Sequence, residues 1–187
     1  MNISSKSGTT ETDRWFLRMA LDEREKSDDP KARRVRQSGV GAVIVGRDGV
    51  ISRSANVVPP ALKQYYSSNN LNITEIERYH IIEHAERAAI FQALLAGCSL
   101  NNTTMYCTRA PCSDCARAIV WTGINRVVLS AGYGGEDKWL DAQRAALQLL
   151  RRAGVTVRII KMDGDLPPAA EPDEQSDDHH EFRIDVR

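Results

Sequence analysis

Residues 84–115 read HAERAAIFQALLAGCSLNNTTMYCTRAPCSDC, and this stretch decides the fold class. The first part is apolar almost all round, which predicts a buried helix over residues 83–96 that ends at Gly97. The short apolar run at 104–108 predicts a strand, and residues 112–122 predict a second helix. The stretch therefore predicts helix, strand and helix in succession, with a histidine or a cysteine at the start of each helix.

The flanking segments continue this alternation. Outward from the central stretch, the pattern predicts a helix over 13–26 with Asp13 as its N-cap, a loop over 27–38, a hairpin of strands 40–45 and 50–56, a strand over 126–130, a helix over 137–153 and a last strand over 155–161. Helices that alternate with short buried strands indicate an α/β fold with a mostly parallel sheet, covered on both faces.

Residues 61–79 interrupt the pattern. They are polar, contain Asn69 and Asn70, and show no sustained hydrophobic period. A long segment of this kind between two regular elements is typical of a functional loop. We therefore predict an insertion close to the functional site, where it would decide which substrate is accepted.

The length and composition fit one domain with tails. The chain has 187 residues, of which 42% are hydrophobic and 27% are charged. We predict a flexible segment over 1–12, a folded domain over 13–162, and an acidic, disordered tail over 163–187. The sequence shows neither a run of about 20 apolar residues nor a signal-peptide pattern at its start, so we predict a cytoplasmic protein that does not contact a membrane.

The zero net charge of the whole chain hides an asymmetry. Residues before 163 include 23 basic and 16 acidic side chains, a net charge of +7, and the tail carries the excess of acids. A basic body attracts anionic ligands, whether a nucleotide or a nucleic acid. The aromatic content of 6% and the acidic tail argue against a nucleic-acid partner, because single strands need stacking surfaces and carry phosphates.

A histidine and two cysteines have the spacing of metal ligands. Two cysteines separated by two residues at a helix start can turn both sulfurs toward one ion, and His84 at the neighbouring helix start supplies a nitrogen. We predict one Zn²⁺ held by His84, Cys112 and Cys115, with the fourth position left to water, as in catalytic zinc sites. Glu86 lies two residues from His84 and points elsewhere on the helix, so we predict that it shuttles protons rather than binding the metal.

A zinc site with four protein ligands, closed to water, remains an alternative. If Cys107 were a fourth ligand, the protein would be a structural zinc module and Glu86 only a surface acid. The open site is favoured because the Pro111–Cys112 step coincides with a helix start. We predict that Cys98 and Cys107 are buried thiols and that His80 is solvated.

These residues resemble the cytidine and deoxycytidylate deaminase superfamily, and above all its deoxycytidylate (dCMP) deaminase branch. The resemblance runs from about Gly39 to about Val157 and is densest in RYHIIEHAER at 78–87 and PCSDCARAIV at 111–120. It implies a three-layer α/β/α fold with a five-stranded mixed sheet, the zinc ligands and the proton-transferring Glu86 named above, and water as the nucleophile. It also implies hydrolysis of dCMP to dUMP and ammonia, and a homo-oligomer.

The resemblance also implies substrate contacts. Asn56 would hold a sugar hydroxyl, although a turn asparagine is an equal interpretation. The backbone N–H of Ala85 would meet the pyrimidine carbonyl. The planar fork of Arg109 suits a phosphate, but a surface arginine is the alternative. Tyr133 would close over the pyrimidine ring, or would only pack in its glycine-rich turn.

At two places this sequence differs from the pattern of the dCMP deaminase branch, and both concern substrate recognition. Ala88 stands where relatives tend to carry asparagine, and residues 108–110 are Thr-Arg-Ala where relatives often have aromatic or apolar residues. Both positions bear on recognition rather than on zinc. A free nucleoside, a base, another amino-heterocycle, or a base within RNA or DNA therefore stay open as alternative substrates.

Overall fold

The protein is described from a computed structural model, which describes residues 10–34, 39–131 and 140–162. The predicted N-terminal segment up to residue 9 and the predicted tail over 163–187 lie outside the described residues. The helices are α1 (Thr10–Arg24), α2 (Pro30–Arg34), α3 (Pro60–Ser68), α4 (Arg78–Ile81), α5 (Ala85–Leu95), α6 (Ser113–Trp121) and α7 (Leu140–Arg152). The strands are β1 (Gly41–Gly46), β2 (Gly49–Ala55), β3 (Thr104–Cys107), β4 (Arg126–Ala131) and β5 (Thr156–Lys161).

The five strands form one mixed sheet in the order β2-β1-β3-β4-β5. Strand β1 pairs antiparallel with both β2 and β3, whereas β3, β4 and β5 run parallel. The predicted α/β class and the five-stranded mixed sheet are confirmed. The expectation of a mostly parallel sheet is wrong, because the hairpin adds two antiparallel pairings to the two parallel ones.

The sheet separates two hydrophobic cores. Side chains alternate along each strand, as the pleat requires, so that Ala42 and Ile44 of β1 face the layer of α5, α6 and α7 while Val43 faces α1. The same alternation places Met105 and Tyr106 of β3 on opposite faces. The molecule therefore has the three layers that the resemblance implies, with the larger core on the α5–α7 side.

Helix α1 begins earlier than predicted, and this changes the role of Asp13. The helix starts at Thr10, so Asp13 is an internal residue and not the N-cap. Its carboxylate is fully buried and accepts hydrogen bonds from Arg126 (2.8 and 2.7 Å), Arg158 (2.8 Å) and the Tyr106 hydroxyl (3.0 Å). The charge is inside the fold because partners on three strands compensate for its desolvation.

Two short helices occupy segments that were expected to be irregular. Helix α2 begins at Pro30, and the Asp29 carboxylate accepts the Lys31 N–H at 2.9 Å. The proline stands at the first helical position, where its missing N–H costs nothing, so it starts a helix instead of marking a loop. Helix α3 likewise begins at Pro60, and none of its nine residues is buried. A helix without a buried face leaves no hydrophobic period in the sequence.

Helix α1 crosses the start of β1 at close range. A Cβ atom added at Gly41 would lie 1.9 Å from the Ala20 carbonyl oxygen. Only glycine permits this approach between helix and strand. Within the described residues, none of the helices combines the length and the apolar character that crossing a bilayer requires.

Candidate metal centre and active site

The site forms where α5 and α6 begin. His84 and Cys112 are the N-cap residues of these two helices, and both have extended backbone conformations. Neither side chain caps its own helix. The imidazole and the thiol are therefore left to face each other across the gap between the two helix starts.

Three ligand atoms converge at this point. His84 Nδ1 lies 3.5 Å from both Cys112 Sγ and Cys115 Sγ, and the two sulfurs are 3.5 Å apart. Zinc bonds of about 2.0–2.3 Å at tetrahedral angles put neighbouring ligand atoms roughly 3.3–3.8 Å apart. The nitrogen and the two sulfurs thus match zinc both in spacing and in chemistry, and within the described part of the chain they are the one cluster of this kind.

The electrostatics of the cluster favour a thiolate. Hydrogen bonding to Cys115, with help from His84, lowers the pKa of the Cys112 thiol to about 3. The same bond to Cys112, together with burial, raises the pKa of Cys115. These contacts therefore favour the thiolate form of Cys112. A thiolate is the form of cysteine that binds a metal.

Glu86 lies beside the cluster and is almost fully buried, with 3% of its surface exposed. Burial raises the pKa of its carboxyl, whereas the nearby His84 opposes the rise. Cys107 is completely buried on the same side of the sheet, where desolvation and the Glu86 charge raise the pKa of its thiol. Among the described residues, Cys107 does not join the cluster of His84, Cys112 and Cys115, so the structure gives the closed module no fourth ligand.

The predicted substrate contacts have different surroundings. The Asn56 side-chain oxygen accepts the Val40 N–H at 2.8 Å and closes the start of β1. Ala85 is the first residue of α5 and is fully buried. Arg109 is half-buried in the turn between β3 and α6. Tyr133 lies outside the described residues.

The insertion leads directly into the site. Helix α4 ends at Ile81, three residues before His84. Arg78 forms an ion pair with Asp29 at 2.8 Å, and both side chains are about nine-tenths buried. The insertion is therefore fixed to the segment after α1, while its exposed face includes Tyr65 and Tyr79. His80 is exposed, as predicted.

One set of residues around the ligands was not identified from the sequence. Glu83 accepts hydrogen bonds from the His84 N–H (2.9 Å) and from Arg87 Nε (2.6 Å), and Arg87 Nη1 lies 3.7 Å from Asp114 Oδ2. The four-residue spacing of Glu83 and Arg87 is a signal for an ion pair on a helix. The contact with Asp114 has no such local signal.

Comparison with known proteins places the chain in a family. The family described as the cytidine and deoxycytidylate deaminase zinc-binding region matches residues 10–131. The chain belongs to this family, which confirms the resemblance stated from the motifs.

The relatives agree with this placement. The deoxycytidylate deaminase of Saccharomyces cerevisiae is 30% identical over 150 residues, which cover 78% of this chain and 44% of that protein. The probable deoxycytidylate deaminase of Drosophila melanogaster is 28% identical and covers 86% and 81% of the two chains. This chain therefore spans less than half the length of the yeast relative.

A solved structure shares the fold. The dCMP deaminase of cyanophage S-TIM5, in complex with dCMP and dUMP, is 18% identical with a TM-score of 0.62. The match covers 82% of this chain and all of that chain. At this level of identity the likeness concerns the fold alone.

Proposed function

We propose that this protein is a zinc-dependent hydrolase that removes the exocyclic amine of a cytosine nucleotide. The observation that carries the proposal is the convergence of His84 Nδ1, Cys112 Sγ and Cys115 Sγ at 3.5 Å beside the buried Glu86. Three donors leave a tetrahedral ion one position for water, which is the arrangement of catalytic zinc. When bound, zinc supplies a Lewis acid that lowers the pKa of water toward about 7.

The substrate that we propose is dCMP, which water converts to dUMP and ammonia. The yeast relative carries the name deoxycytidylate deaminase, and the cyanophage dCMP deaminase was solved with dCMP and dUMP. The net charge of +7 before residue 163 suits an anionic nucleotide. A homo-oligomer and a cytoplasmic location stay predictions.

Glu86 performs the proton transfers in this proposal. Its carboxylate accepts a proton from the attacking water and delivers it to the ring nitrogen of the pyrimidine. It then takes the second proton of the former water, now a hydroxyl on the ring carbon, and delivers it to the exocyclic amine, which leaves as ammonia, so that one carboxyl serves in turn as base and acid. Its burial keeps bulk water from competing for the proton. His84, Cys112 and Cys115 keep the metal in place throughout the reaction.

A substrate panel tests the proposal. Zinc-loaded protein is incubated separately with dCMP, CMP, deoxycytidine, cytosine and a cytosine-containing oligonucleotide, and ammonia release is measured. We expect turnover of dCMP with a kcat/KM at least about tenfold above that of the other four. If deoxycytidine or cytosine were turned over in preference to dCMP, the substrate would be the nucleoside or the base. Failure to turn over any of them, in protein with one zinc per chain, would overturn the proposed activity.

A further inference from the structure

Glu83 directly precedes the ligand His84 and is bound to the sheet through its main chain. Its N–H donates to the Val57 carbonyl at 2.8 Å, and the Val57 N–H donates back to the Glu83 carbonyl at 3.0 Å. These two bonds form an isolated antiparallel bridge. The residue before His84 is thereby fixed to the residue after Asn56, at the end of β2.

The Glu83 side chain adds a second set of contacts. Its Oε1 accepts the His84 N–H at 2.9 Å and Arg87 Nε at 2.6 Å, and Arg87 Nη2 is 2.5 Å away. The two side chains are 23% and 28% exposed. The pair is therefore shielded from water more than an ordinary surface salt bridge, and its geometry is correspondingly better defined.

Arg87 extends this set of contacts to the second ligand helix. Its Nη1 lies 3.7 Å from the carboxylate of Asp114, which stands between Cys112 and Cys115 in the sequence. The charges alternate from Glu83 to Arg87 to Asp114. They join the starts of α5 and α6, the two places from which the metal ligands come.

We propose that Glu83 is a positioning residue for the metal cluster. By holding the main chain of His84 and orienting Arg87 toward Asp114, Glu83 keeps Nδ1 at its distance from the two sulfurs. The inference rests on the proposed zinc site but concerns binding of the metal rather than turnover. A carboxylate at a helix start also stabilises the helix electrostatically, and that role by itself would affect stability alone.

Substitution of Glu83 tests the inference with zinc and cobalt and without substrate. The dissociation constant for Zn²⁺ is measured by competition with a chromophoric chelator, the Co²⁺ absorption spectrum is recorded, and circular dichroism verifies folding. We expect Glu83→Ala to weaken zinc binding by about tenfold or more, as residues that orient metal ligands do, and to alter the cobalt bands. Glu83→Gln, which still accepts the His84 N–H but loses the ion pair, should give a smaller change in the same direction.

Arg87→Gln shows whether the contacts act as a unit. Both substitutions remove the same ion pair, so their effects should not add. The double variant Glu83→Ala with Arg87→Gln should therefore bind zinc no more weakly than whichever single variant has the lower zinc affinity. Strictly additive losses would overturn the role of the pair.

The matched control is Asp141→Ala. Asp141 is a carboxylate in the first turn of α7, and it pairs with Arg144 at 3.3 Å within that helix. We expect the zinc affinity and the cobalt spectrum of the Asp141→Ala variant to equal those of the wild type. Wild-type zinc affinity and cobalt bands in both Glu83 variants would overturn the inference, even if their melting temperatures fall. A wild-type protein without zinc would overturn the proposed function together with the inference.

Discussion

Glu86 is a buried acid, and the proposed proton transfer would account for its position. With 3% of its surface exposed, it bears a desolvation cost that an apolar residue would avoid. We predict that Glu86→Gln lowers kcat by at least about 100-fold, because the amide cannot relay a proton. The zinc content should stay at one per chain, since the three donors are unchanged. Steady-state kinetics and metal analysis of the same preparation check both expectations.

The control for this variant is Glu11→Gln, which makes the same change at an exposed position of α1. It should retain the kcat and the zinc of the wild type. A Glu86→Gln protein with wild-type kcat would contradict the proton-relay role.

Arg109 offers a direct test of phosphate recognition. It lies three residues before Cys112 and is half-buried, which limits the positions its guanidinium can adopt. We predict that Arg109→Ala raises the KM for dCMP by about tenfold, the scale of a lost charge-assisted hydrogen bond. The KM for deoxycytidine should not change, because the nucleoside has no phosphate.

Arg144→Ala, at an exposed arginine of α7, serves as the control and should leave both KM values unchanged. An equal rise in both KM values for Arg109→Ala would rule out the phosphate clamp.

At the level of elements, one buried carboxylate adds to the apolar packing that holds α1 against the sheet. Asp13 contacts Arg126 and Arg158 from the first turn of the helix. Replacement of Asp13 by Asn keeps the size but leaves two cations without their charged partner. We predict a loss of about 3 kcal/mol in the free energy of unfolding, measured by urea denaturation.

The exposed Asp141, which also pairs with an arginine, is the comparison for this change. Asp141→Asn should cost less than about 1 kcal/mol, because surface ion pairs contribute little. A similar small loss for Asp13→Asn would mean that packing alone holds α1.

The hydrogen bond between Tyr106 and Asp13 should make the stability of the fold depend on pH. Burial and the charge of Asp13 raise the pKa of its hydroxyl to about 12, against about 10 in an unfolded chain. The fold thus favours the neutral phenol, and this stabilisation is complete below about pH 10 and is lost as the pH rises through 12. We predict that the free energy of unfolding falls more steeply between pH 10 and 12 in the wild type than in Tyr106→Phe.

Urea denaturation at a series of pH values measures this difference in slope. Tyr65→Phe, at a tyrosine that is 56% exposed, should keep the slope of the wild type. Identical slopes for wild type and Tyr106→Phe would contradict the expectation that Asp13 and burial raise the pKa of Tyr106 in the folded protein.

At the level of the whole molecule, α5 and α6 both expose large apolar side chains, which are together called the α5–α6 face. Both helices start at the metal cluster and lie on the same side of the sheet. Their C-terminal halves expose five large hydrophobic side chains: Phe91 (46%), Leu94 (50%), Leu95 (89%), Val120 (36%) and Trp121 (89%). At roughly 150–250 Å² for a large side chain, this face presents on the order of 500–700 Å² of apolar surface. A stable protein–protein interface buries about 800 Å² per partner.

We therefore predict that a second copy of the chain covers this face. Trp121→Glu should shift the molar mass measured by light scattering from that of an oligomer to that of a smaller species, because a buried charge has no partner there. The control is Leu62→Glu on α3, which adds the same charge to an exposed leucine elsewhere. A monomeric wild type, or an unchanged mass for Trp121→Glu, would contradict the prediction.

The sequence by itself determined the parts of this protein that depend on near neighbours. Cys112 and Cys115 are three residues apart at a helix start, and His84 opens the preceding helix, so their chemistry can be inferred from spacing alone. The strands and long helices were predicted because each buries a periodic set of apolar side chains. Helix α3 was missed for the opposite reason, since none of its residues is buried.

Only the tertiary structure decided the contacts between distant residues. Asp13 meets Arg126 and Arg158 across 113 and 145 positions, and no local pattern distinguishes it from an N-cap. The bond from Val40 to Asn56 likewise depends on how β1 and β2 pair. The carboxylates of Asp13 and Glu83 gain their surroundings from the folded backbone, because burial and charge compensation exist only once separate elements have packed together.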